Sequence, residues 1–152
     1  MNKIKFGTDG WRAIIGDDYT VENVARVSVA VAKFLHERYE NPCVVIGHDC
    51  RFAGKLFADT IAKVFVLNNI KVILAHSFVT TPMVSLAVVQ RKASLGVVIT
   101  ASHNPPSYNG YKLKGEFGGP LLPNDVEIVE SLIPDKCDLD FKSVNIEDFI
   151  SK

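Results

Sequence analysis

The sequence predicts a three-layer α/β/α protein built on a mixed, mostly parallel β-sheet. Short apolar runs rich in β-branched residues alternate with longer amphipathic segments three times along the chain. Each helix between two strands is long enough to cross back over the sheet, so the strands that it joins lie parallel and helices cover both faces. The length of 152 residues fits one domain with a sizeable core.

Composition and charge argue against several classes of partner. Lys and Arg together number 17, as do Asp and Glu, so the chain lacks the basic excess that binds nucleic acid or anionic membranes. No apolar run approaches the roughly 20 residues of a membrane span, and the N-terminus has no signal-peptide core. Cys43, Cys50 and Cys137 are odd in number and have no metal-ligand spacing. We therefore expect a cytoplasmic protein with free thiols and no nucleic-acid or membrane partner.

Periodicity and turn residues locate the elements in chain order. Strands are predicted at about 11–15, 43–46, 71–75, 96–100 and 111–114, and helices at about 20–38, 53–68, 82–91 and 124–133. The apolar stripe of the first helix is assigned to the core. After residue 134 the periodicity is weak, so 1–134 is predicted as the domain and 135–152 as a connection, or a short helix near Glu147.

Capping residues define where the helices start and end. Thr20 is the predicted N-cap of the first helix, and Asn124 that of the last. For the third helix we predict Thr81 at the N-cap and Pro82 at the first helical position, because proline has no N–H to leave unpaired. The pair Asn68-Asn69 is expected to close the second helix in the manner of a left-handed cap.

A rigid polar loop follows the most apolar strand. Residues 96–100 read Gly-Val-Val-Ile-Thr, which is typical of a strand buried on both faces. Ser102, His103 and Asn104 then stand side by side before two prolines that stop regular structure. Ligands of open α/β sheets lie at the carboxyl ends of the strands, so this loop is the candidate site. An ordinary surface loop, whose side chains bond their own backbone, is the alternative.

Cationic side chains lie near this loop in the sequence and near the N-terminus. Asn109-Gly110 is predicted as a tight turn that leads into an antiparallel strand. Alternation in that strand puts Lys112 and Lys114 on one face. Arg12, which could be a plain surface residue, carries a guanidinium fork that matches phosphate oxygens.

A charged cluster, Gly47-His-Asp-Cys-Arg51, stands at the carboxyl end of another predicted strand. Such a cluster is either a helix-capping turn or part of a site, and the residues alone leave both readings open. His48 and Cys50 are too few ligands for a metal ion, so we assign them no role.

Three of these motifs together resemble one family. Thr100-Ala-Ser-His-Asn-Pro105 is similar to the phosphoserine loop of the α-D-phosphohexomutases, the phosphoglucomutase/phosphomannomutase family. Phe6-Gly-Thr-Asp-Gly-Trp-Arg12 resembles that family's N-terminal signature, with Ala13 in place of the usual glycine. The charged cluster resembles its Gly-x-Asp-x-Arg stretch, which helps to shape the active-site floor. The resemblance covers about 6–133 and implies the family's first domain, with three layers and a four-stranded mixed sheet.

The resemblance also implies a reaction and its residues. Phosphorylated Ser102 gives its phosphoryl group to a hexose phosphate, and the hexose 1,6-bisphosphate that forms reorients and returns the other phosphate to Ser102. The net result is an isomerisation by intramolecular phosphotransfer, which moves phosphate between C1 and C6. Lys112 and Arg12 match positions beside the phosphoserine, where protons move to and from the sugar hydroxyl, and His103 matches a supporting contact.

The metal implied by the resemblance is Mg²⁺, held by the phosphate on Ser102 and by an Asp-Gly-Asp-Gly-Asp loop of a second domain. That loop is absent from these 152 residues, as are the sugar-binding and distal phosphate-binding loops of the third and fourth domains. We therefore expect the first domain of a longer mutase, without turnover by itself. Its partners would be the hexose phosphate and the remaining mutase domains, and apolar interdomain surface left exposed would lead to dimerisation or poor solubility.

Other functions fit the sequence less well. The main alternative is a free-standing domain that binds a phosphate, a sugar phosphate or a partner subunit without catalysis. A serine hydrolase is disfavoured because His103 adjoins Ser102 and no Gly-x-Ser-x-Gly elbow is present. A dinucleotide-binding domain is disfavoured because no Gly-x-Gly-x-x-Gly follows the first strand. The sugar, whether glucose, mannose or another, stays open, although the loop is closer to the glucose and mannose mutases than to those for glucosamine phosphate.

Overall fold

The computed structural model describes residues 3–7 and 9–149 and has a mixed β-sheet at its centre. Its strands are β1 (Trp11–Ile14), β2 (Cys43–His48), β3 (Lys71–Leu74), β4 (Leu95–Ile99) and β5 (Tyr108–Gly115). They lie in the order β1-β5-β4-β2-β3. β5 is antiparallel to both of its neighbours, whereas β2 is parallel to β3 and β4. The mixed, mostly parallel sheet is thus confirmed.

The sheet has five strands, so the expectation of four strands was wrong in number. The additional strand is the edge strand β1, which pairs with β5 from Trp11 opposite Tyr111 to Ile14 opposite Tyr108. All five segments that periodicity predicted as strands form strands in the sheet.

Helices cover both faces of this sheet, as predicted. They are α1 (Val21–His36), α2 (Gly54–Leu67), α3 (Thr81–Gln90) and α4 (Pro123–Ser131), followed by short 3-10 turns at Phe141–Ser143 and Ile146–Phe149. α1 and α2 pack against each other on one face, and α4 packs on α1. α3 lies on the opposite face against β2 and β4. No helix in the described ranges is both long and apolar enough to span a bilayer.

Strand alternation divides the apolar core between the two faces. In β2, Val44 and Ile46 join the large cluster under α1 and α2, whereas Val45 joins the smaller cluster under α3. In β4, Val97 and Val98 divide in the same way. Every residue of β4 is buried, as expected for a central strand that is covered on both faces.

Two of the three predicted N-caps are displaced. Thr20 caps α1 as predicted, and its hydroxyl accepts a hydrogen bond from the Asn23 N–H at 3.2 Å. The N-cap of α3 is Thr80 rather than Thr81. The N-cap of α4 is Leu122, so Asn124 lies inside the helix. Both of these helices, α3 and α4, have a proline in the first turn, where the missing N–H leaves no helical hydrogen bond unmade.

The predicted Asn109-Gly110 turn is wrong, although β5 is antiparallel as expected. Both residues lie inside β5, and the reversal of direction takes place in the longer connection 100–107. Gly110 serves close strand approach instead, since a Cβ there would lie 2.4 Å from the Thr100 carbonyl oxygen and 3.2 Å from that of Trp11. The left-handed end of α2 expected at Asn68-Asn69 is confirmed at Asn69, with φ of 56°, whereas Asn68 is the C-cap at φ of −96°.

The C-terminal segment and α3 differ in how much of their apolar surface they bury. Phe141 of the C-terminal segment is buried against Ala25 and Val64 on the α1–α2 side, and the short helix expected near Glu147 is a 3-10 turn. On the opposite side, α3 exposes large apolar side chains: Met83 is 54% exposed and Leu86 57%. Dimerisation through such surface stays a prediction.

Candidate functional site

The loop that carries Ser102 lies where several strand ends meet. It begins directly after β4, and the Asp49 N–H at the end of β2 donates to the Ile99 carbonyl at 3.1 Å. On the other side, the Thr100 N–H donates to the Gly110 carbonyl of β5, also at 3.1 Å. Beyond β1, the Ile15 N–H donates to the Ser107 carbonyl at 2.8 Å. The loop is therefore fastened to β2, β5 and the end of β1 through backbone groups.

Ser102 has an exposed side chain on a constrained backbone. Its φ is 52°, in the left-handed region that residues with a Cβ rarely adopt. Its N–H donates to the Thr100 hydroxyl at 3.0 Å. Its Oγ lies 3.5 Å from His103 Nδ1, which is the limit of a hydrogen bond. His103 is thus adjacent to the hydroxyl without a strong contact to it.

Arg12 reaches the loop from β1. It stands opposite Gly110 in the register of β1 and β5, and its Nη1 donates to the Asn104 side-chain oxygen at 2.9 Å. The contact joins the first predicted motif to the residue two positions after Ser102. Among the described residues, this is the one hydrogen bond of the Arg12 guanidinium, so most of its donors remain available to a ligand.

Lys112 lies on the sheet beside this arginine and is paired with a carboxylate. Its ammonium donates to Asp9 Oδ2 at 2.8 Å, and only 8% of its side chain is exposed. Lys114 follows on the same face, with its Nζ 3.7 Å from Asp9 Oδ1. The predicted common face of the two lysines is thus confirmed. Asp9 lies in the N-terminal motif, and sequence analysis assigned it no role. Its contact with Lys112 spans 103 residues of sequence, so local sequence patterns could not reveal it.

The charge of Asp9 is held by its basic neighbours. Partial burial acts to raise the pKa of Asp9, but the hydrogen bond from Lys112 and the surrounding positive charges outweigh it and lower the pKa. Those charges belong to Lys112, Lys114 and Arg12. One carboxylate among three cations leaves a net positive face, which suits an anionic ligand such as a phosphate.

Arg51 is the residue whose contacts the sequence did not anticipate. Nη1 donates to the carbonyl oxygens of Pro105 and Tyr108 at 2.8 and 3.0 Å. Nη2 donates to those of Ser102 and Asn104 at 2.8 and 2.6 Å. The charged cluster at the end of β2 therefore contacts the loop of the candidate site through Arg51. That the cluster takes part in a functional site stays a prediction. Its position at a strand end and the resemblance to the Gly-x-Asp-x-Arg stretch were the signals in the sequence, but neither indicated which groups Arg51 contacts.

The neighbouring residues of that cluster have structural contacts. His48 is buried, its Nδ1 lies 2.9 Å from the Asp49 carbonyl oxygen, and its ring contacts Phe78 edge-on at 5.6 Å between centroids. Gly47 is required by packing, because a Cβ there would lie 2.4 Å from Val79. Cys50 is a free, exposed thiol.

Within residues 3–7 and 9–149, no group of three or more His, Cys, Asp or Glu side chains is arranged to hold a metal ion. Both carboxylate oxygens of Asp49 already accept hydrogen bonds, from the Arg51 N–H at 3.0 Å and from the Thr100 hydroxyl at 2.6 Å. The ligand predicted for Mg²⁺ on this chain, a phosphate on Ser102, stays a prediction. The exposed Ser102 hydroxyl leaves room for such a group.

Taken together, the site has an exposed hydroxyl on a fixed loop, a guanidinium bonded to the same loop through Asn104, and an ammonium further along β5 that is paired with Asp9. Such an arrangement can carry a phosphoryl group and neutralise its charge during transfer. Acyl transfer by a serine nucleophile requires a base hydrogen-bonded to the hydroxyl at short distance, and among the residues that the structure describes His103 approaches Ser102 Oγ only to 3.5 Å.

Comparison with known proteins gives a consistent family match. Residues 3–137 match the family described as "Phosphoglucomutase/phosphomannomutase, alpha/beta/alpha domain I". A phosphoglucomutase of Staphylococcus saprophyticus is 37% identical over 136 residues, which are 86% of this chain and 24% of that protein. A phosphoribomutase of Saccharomyces cerevisiae is 39% identical over 139 residues, which are 86% of this chain and 22% of that protein.

Solved structures agree in fold and in coverage. A putative phosphomannomutase from Thermus thermophilus matches with a TM-score of 0.86 and 38% identity, over 89% of this chain and 31% of that one. The open form of pp63/parafusin from Paramecium matches with a TM-score of 0.78 at 20% identity, over 94% of this chain and 28% of that one, which supports the fold alone. The chain spans about a quarter of the length of the curated relatives.

Proposed function

The chain belongs to the phosphoglucomutase/phosphomannomutase family as its domain I, and on that premise we propose that it supplies the phosphoserine of a sugar-phosphate mutase. The reaction is an isomerisation that moves phosphate between C1 and C6 of a hexose. The observation that carries the proposal is the exposed Ser102 hydroxyl, on a left-handed backbone at the strand ends where Arg12 also arrives. Its full-length homologues are named as mutases of sugar phosphates.

The transfer step follows from the chemistry of these groups. The bond between phosphorus and the Ser102 oxygen breaks as a bond forms between phosphorus and a hydroxyl oxygen of the hexose phosphate. The hydroxyl proton must leave the sugar, and the serine oxygen must gain one. Lys112 and Arg12 are the groups that we assign to these protons and to the charge on the phosphoryl oxygens, with His103 as a supporting contact. The second half repeats the exchange in reverse, after the hexose 1,6-bisphosphate has turned around.

A bound Mg²⁺ would neutralise charge on the phosphoryl oxygens. In this chain the group that would hold it is the phosphate on Ser102, since the Asp49 carboxylate is occupied by Thr100 and Arg51. The further ligands would come from outside these residues. For that reason we propose that the chain does not turn over by itself and works with the remaining domains of a longer mutase in the cytoplasm.

The sugar is proposed only as a class. The relatives named above include a phosphoglucomutase and a phosphoribomutase, and a structural neighbour is named a putative phosphomannomutase. A hexose phosphate is our preferred substrate, with hexose 1,6-bisphosphate as activator. Assays with glucose, mannose and ribose 1-phosphates side by side would identify the preferred sugar by kcat/KM.

The test is turnover by the protein that the gene encodes, after its sequence has been read beyond the codon for Lys152. Ser102→Ala should lower mutase turnover by more than about 1000-fold, because the phosphoryl acceptor is gone. Ser107→Ala is the matched control, since Ser107 is in the same loop and contributes its backbone carbonyl to Ile15. Turnover that survives in Ser102→Ala would refute the proposal. A protein that binds hexose bisphosphate without turnover would instead be the phosphate-binding domain of the alternative hypothesis.

A further inference from the structure

The Arg51 side chain gathers four backbone carbonyls of the Ser102 loop around one guanidinium. The acceptors are the carbonyl oxygens of residues 102, 104, 105 and 108, at 2.6 to 3.0 Å. Each terminal nitrogen has two N–H groups, and each makes two of these bonds. Only 14% of the side chain is exposed. Arg51 is thus committed to the loop, and no terminal donor remains for a ligand.

Asp49 fixes the guanidinium and holds the other side of the same loop. Its Oδ2 lies 3.7 Å from Arg51 Nε and accepts the Thr100 hydroxyl at 2.6 Å. The Thr100 hydroxyl oxygen in turn accepts the Ser102 N–H at 3.0 Å. Both backbone polar groups of Ser102 are therefore tied to the end of β2, the N–H through Thr100 and Asp49 and the carbonyl through Arg51.

These ties offset an unfavourable local geometry. A residue with a Cβ at φ of 52° persists only where its surroundings hold it. Four carbonyl dipoles that point toward one another also repel unless a cation lies between them. Removing the guanidinium would leave both costs uncompensated, so the loop should relax to other conformations without it.

We propose that Arg51, oriented by Asp49, is a positioning residue that fixes the backbone of Ser102 for phosphoryl transfer. The inference rests on the proposed function, because a fixed Ser102 backbone matters for transfer only if Ser102 carries the phosphoryl group. Phosphoryl transfer depends on alignment of the acceptor and donor oxygens and on electrostatics, with little covalent work for the protein. Arg51 acts through the loop and does not touch the group that is transferred.

The first arm of the test measures the loop itself by amide hydrogen exchange. In Arg51→Gln, exchange should accelerate by about tenfold or more at Ser102, Asn104 and Tyr108, while the β4 amides keep the wild-type rate. Arg51→Lys keeps the charge but cannot bridge four carbonyls, so it should give an intermediate acceleration. Arg91→Gln, an exposed arginine at the end of α3, is the matched control and should leave the loop unchanged.

The second arm measures transfer to Ser102 from hexose 1,6-bisphosphate in the protein that the gene encodes. Arg51→Gln should lower the transfer rate at saturating sugar by about 10- to 100-fold with little change in KM, because the acceptor is misaligned while the sugar contacts remain. Arg51→Lys should recover part of that rate. Asp49→Asn, which keeps the size of the side chain, should show the same pattern more weakly and serves if Arg51→Gln does not fold.

The outcomes separate this inference from the proposed function. Unchanged loop exchange in Arg51→Gln, or a loss confined to KM, overturns the inference. If the wild-type protein accepts no phosphoryl group while Arg51→Gln loosens the loop, then the proposed function fails and Arg51 only holds the loop. If transfer is normal in the wild type and in Arg51→Gln, the proposed function stands and the positioning role is refuted.

Discussion

Arg51 and Arg12 approach the Ser102 loop from opposite sides and make very different contacts. Arg51, after β2, donates to four backbone carbonyls of the loop. Arg12, in β1, makes one hydrogen bond within the described part of the chain, to the Asn104 side chain. An arginine whose donors are all occupied by the protein builds structure, whereas one with donors to spare can bind an anion. Arg51 thus stabilises the loop on one side, whereas Arg12 on the other side has donors that can bind a ligand.

The surroundings of the two arginines strengthen this contrast. On the Arg51 side, the neighbouring Asp49 neutralises the charge locally. On the Arg12 side, one carboxylate, Asp9, is shared by Lys112 and Lys114, so positive charge is in excess. We therefore expect substitutions on the Arg51 side to change the structure of the loop and substitutions on the Arg12 side to change the rate of phosphoryl transfer.

Of the substitutions that test the difference between the two arginines, Arg12→Gln is expected to have the largest effect. Its phosphoryl-transfer rate should fall by about 100-fold, since a cation that faces the transferred group is lost. Its loop amide exchange and its free energy of unfolding should stay near the wild-type values, because among residues 3–7 and 9–149 the substitution removes one side-chain hydrogen bond. Transfer kinetics and urea unfolding measure the two quantities, with Arg91→Gln as control. Loosening of the loop to the degree expected for Arg51→Gln would remove the distinction between the arginines.

A substitution in β5, the strand that follows the Ser102 loop, tests how closely this strand packs against its two neighbours. Gly110→Ala would place a methyl group 2.4 Å from the Thr100 carbonyl oxygen, so β5 must shift from both neighbours. We expect the free energy of unfolding to fall by about 2 kcal/mol or more. Gly7→Ala is the matched control, because its nearest contact would be an ordinary 3.6 Å. Urea denaturation that finds the two variants equally stable would show that β5 has more freedom than its packing indicates.

The smallest effect concerns the carboxylate on the cationic side and depends on pH. The pKa of Asp9 is lowered from 3.8 in the folded protein, so its stabilising contribution is complete above that value and is lost as the pH falls through the lowered pKa. Asp9→Asn should therefore reduce stability near pH 7, and the reduction should shrink as the pH falls below 3.8. The difference should stay near 1 kcal/mol, since the carboxylate is partly exposed.

Urea unfolding at several pH values measures that difference. Asp138→Asn is the control, because its ion pair with Lys136 is exposed and should contribute almost nothing. A loss of stability in Asp9→Asn that is equal at acidic and neutral pH would show that the carboxylate acts through packing and not through its charge.

Periodicity predicted most of the fold because its signals are local. The buried run of β4 and the amphipathic stripe of α1 can each be recognised within one segment. The predictions failed where a tertiary contact overrides a local signal. Asn109-Gly110 is a strong turn signal, yet Gly110 lies within β5 because Thr100 and Trp11 approach it closely. Leu122 replaces the predicted cap Asn124 because the helix starts at Pro123, two residues earlier than that cap implied.

The candidate site divides in the same way. Ser102 and Arg12 could be predicted because each lies in a recognisable motif. For Arg51, the resemblance implied only a place at the active-site floor. Its individual contacts could not be predicted, because they are to backbone carbonyls more than 50 residues away, which leave no pattern in side-chain identity. The pairing of Asp9 with Lys112 is likewise a product of the β1–β5 register, which sequence spacing does not encode.

The central claim is that Ser102 carries the phosphoryl group. The most direct measurement is mass-spectrometric mapping of the protein that the gene encodes, after incubation with hexose 1,6-bisphosphate and Mg²⁺. We predict one phosphoryl group on the peptide that contains Ser102, absent in Ser102→Ala and present in Ser107→Ala. A phosphoryl group on another residue, or an unmodified Ser102 in a protein that interconverts hexose phosphates, would contradict the account.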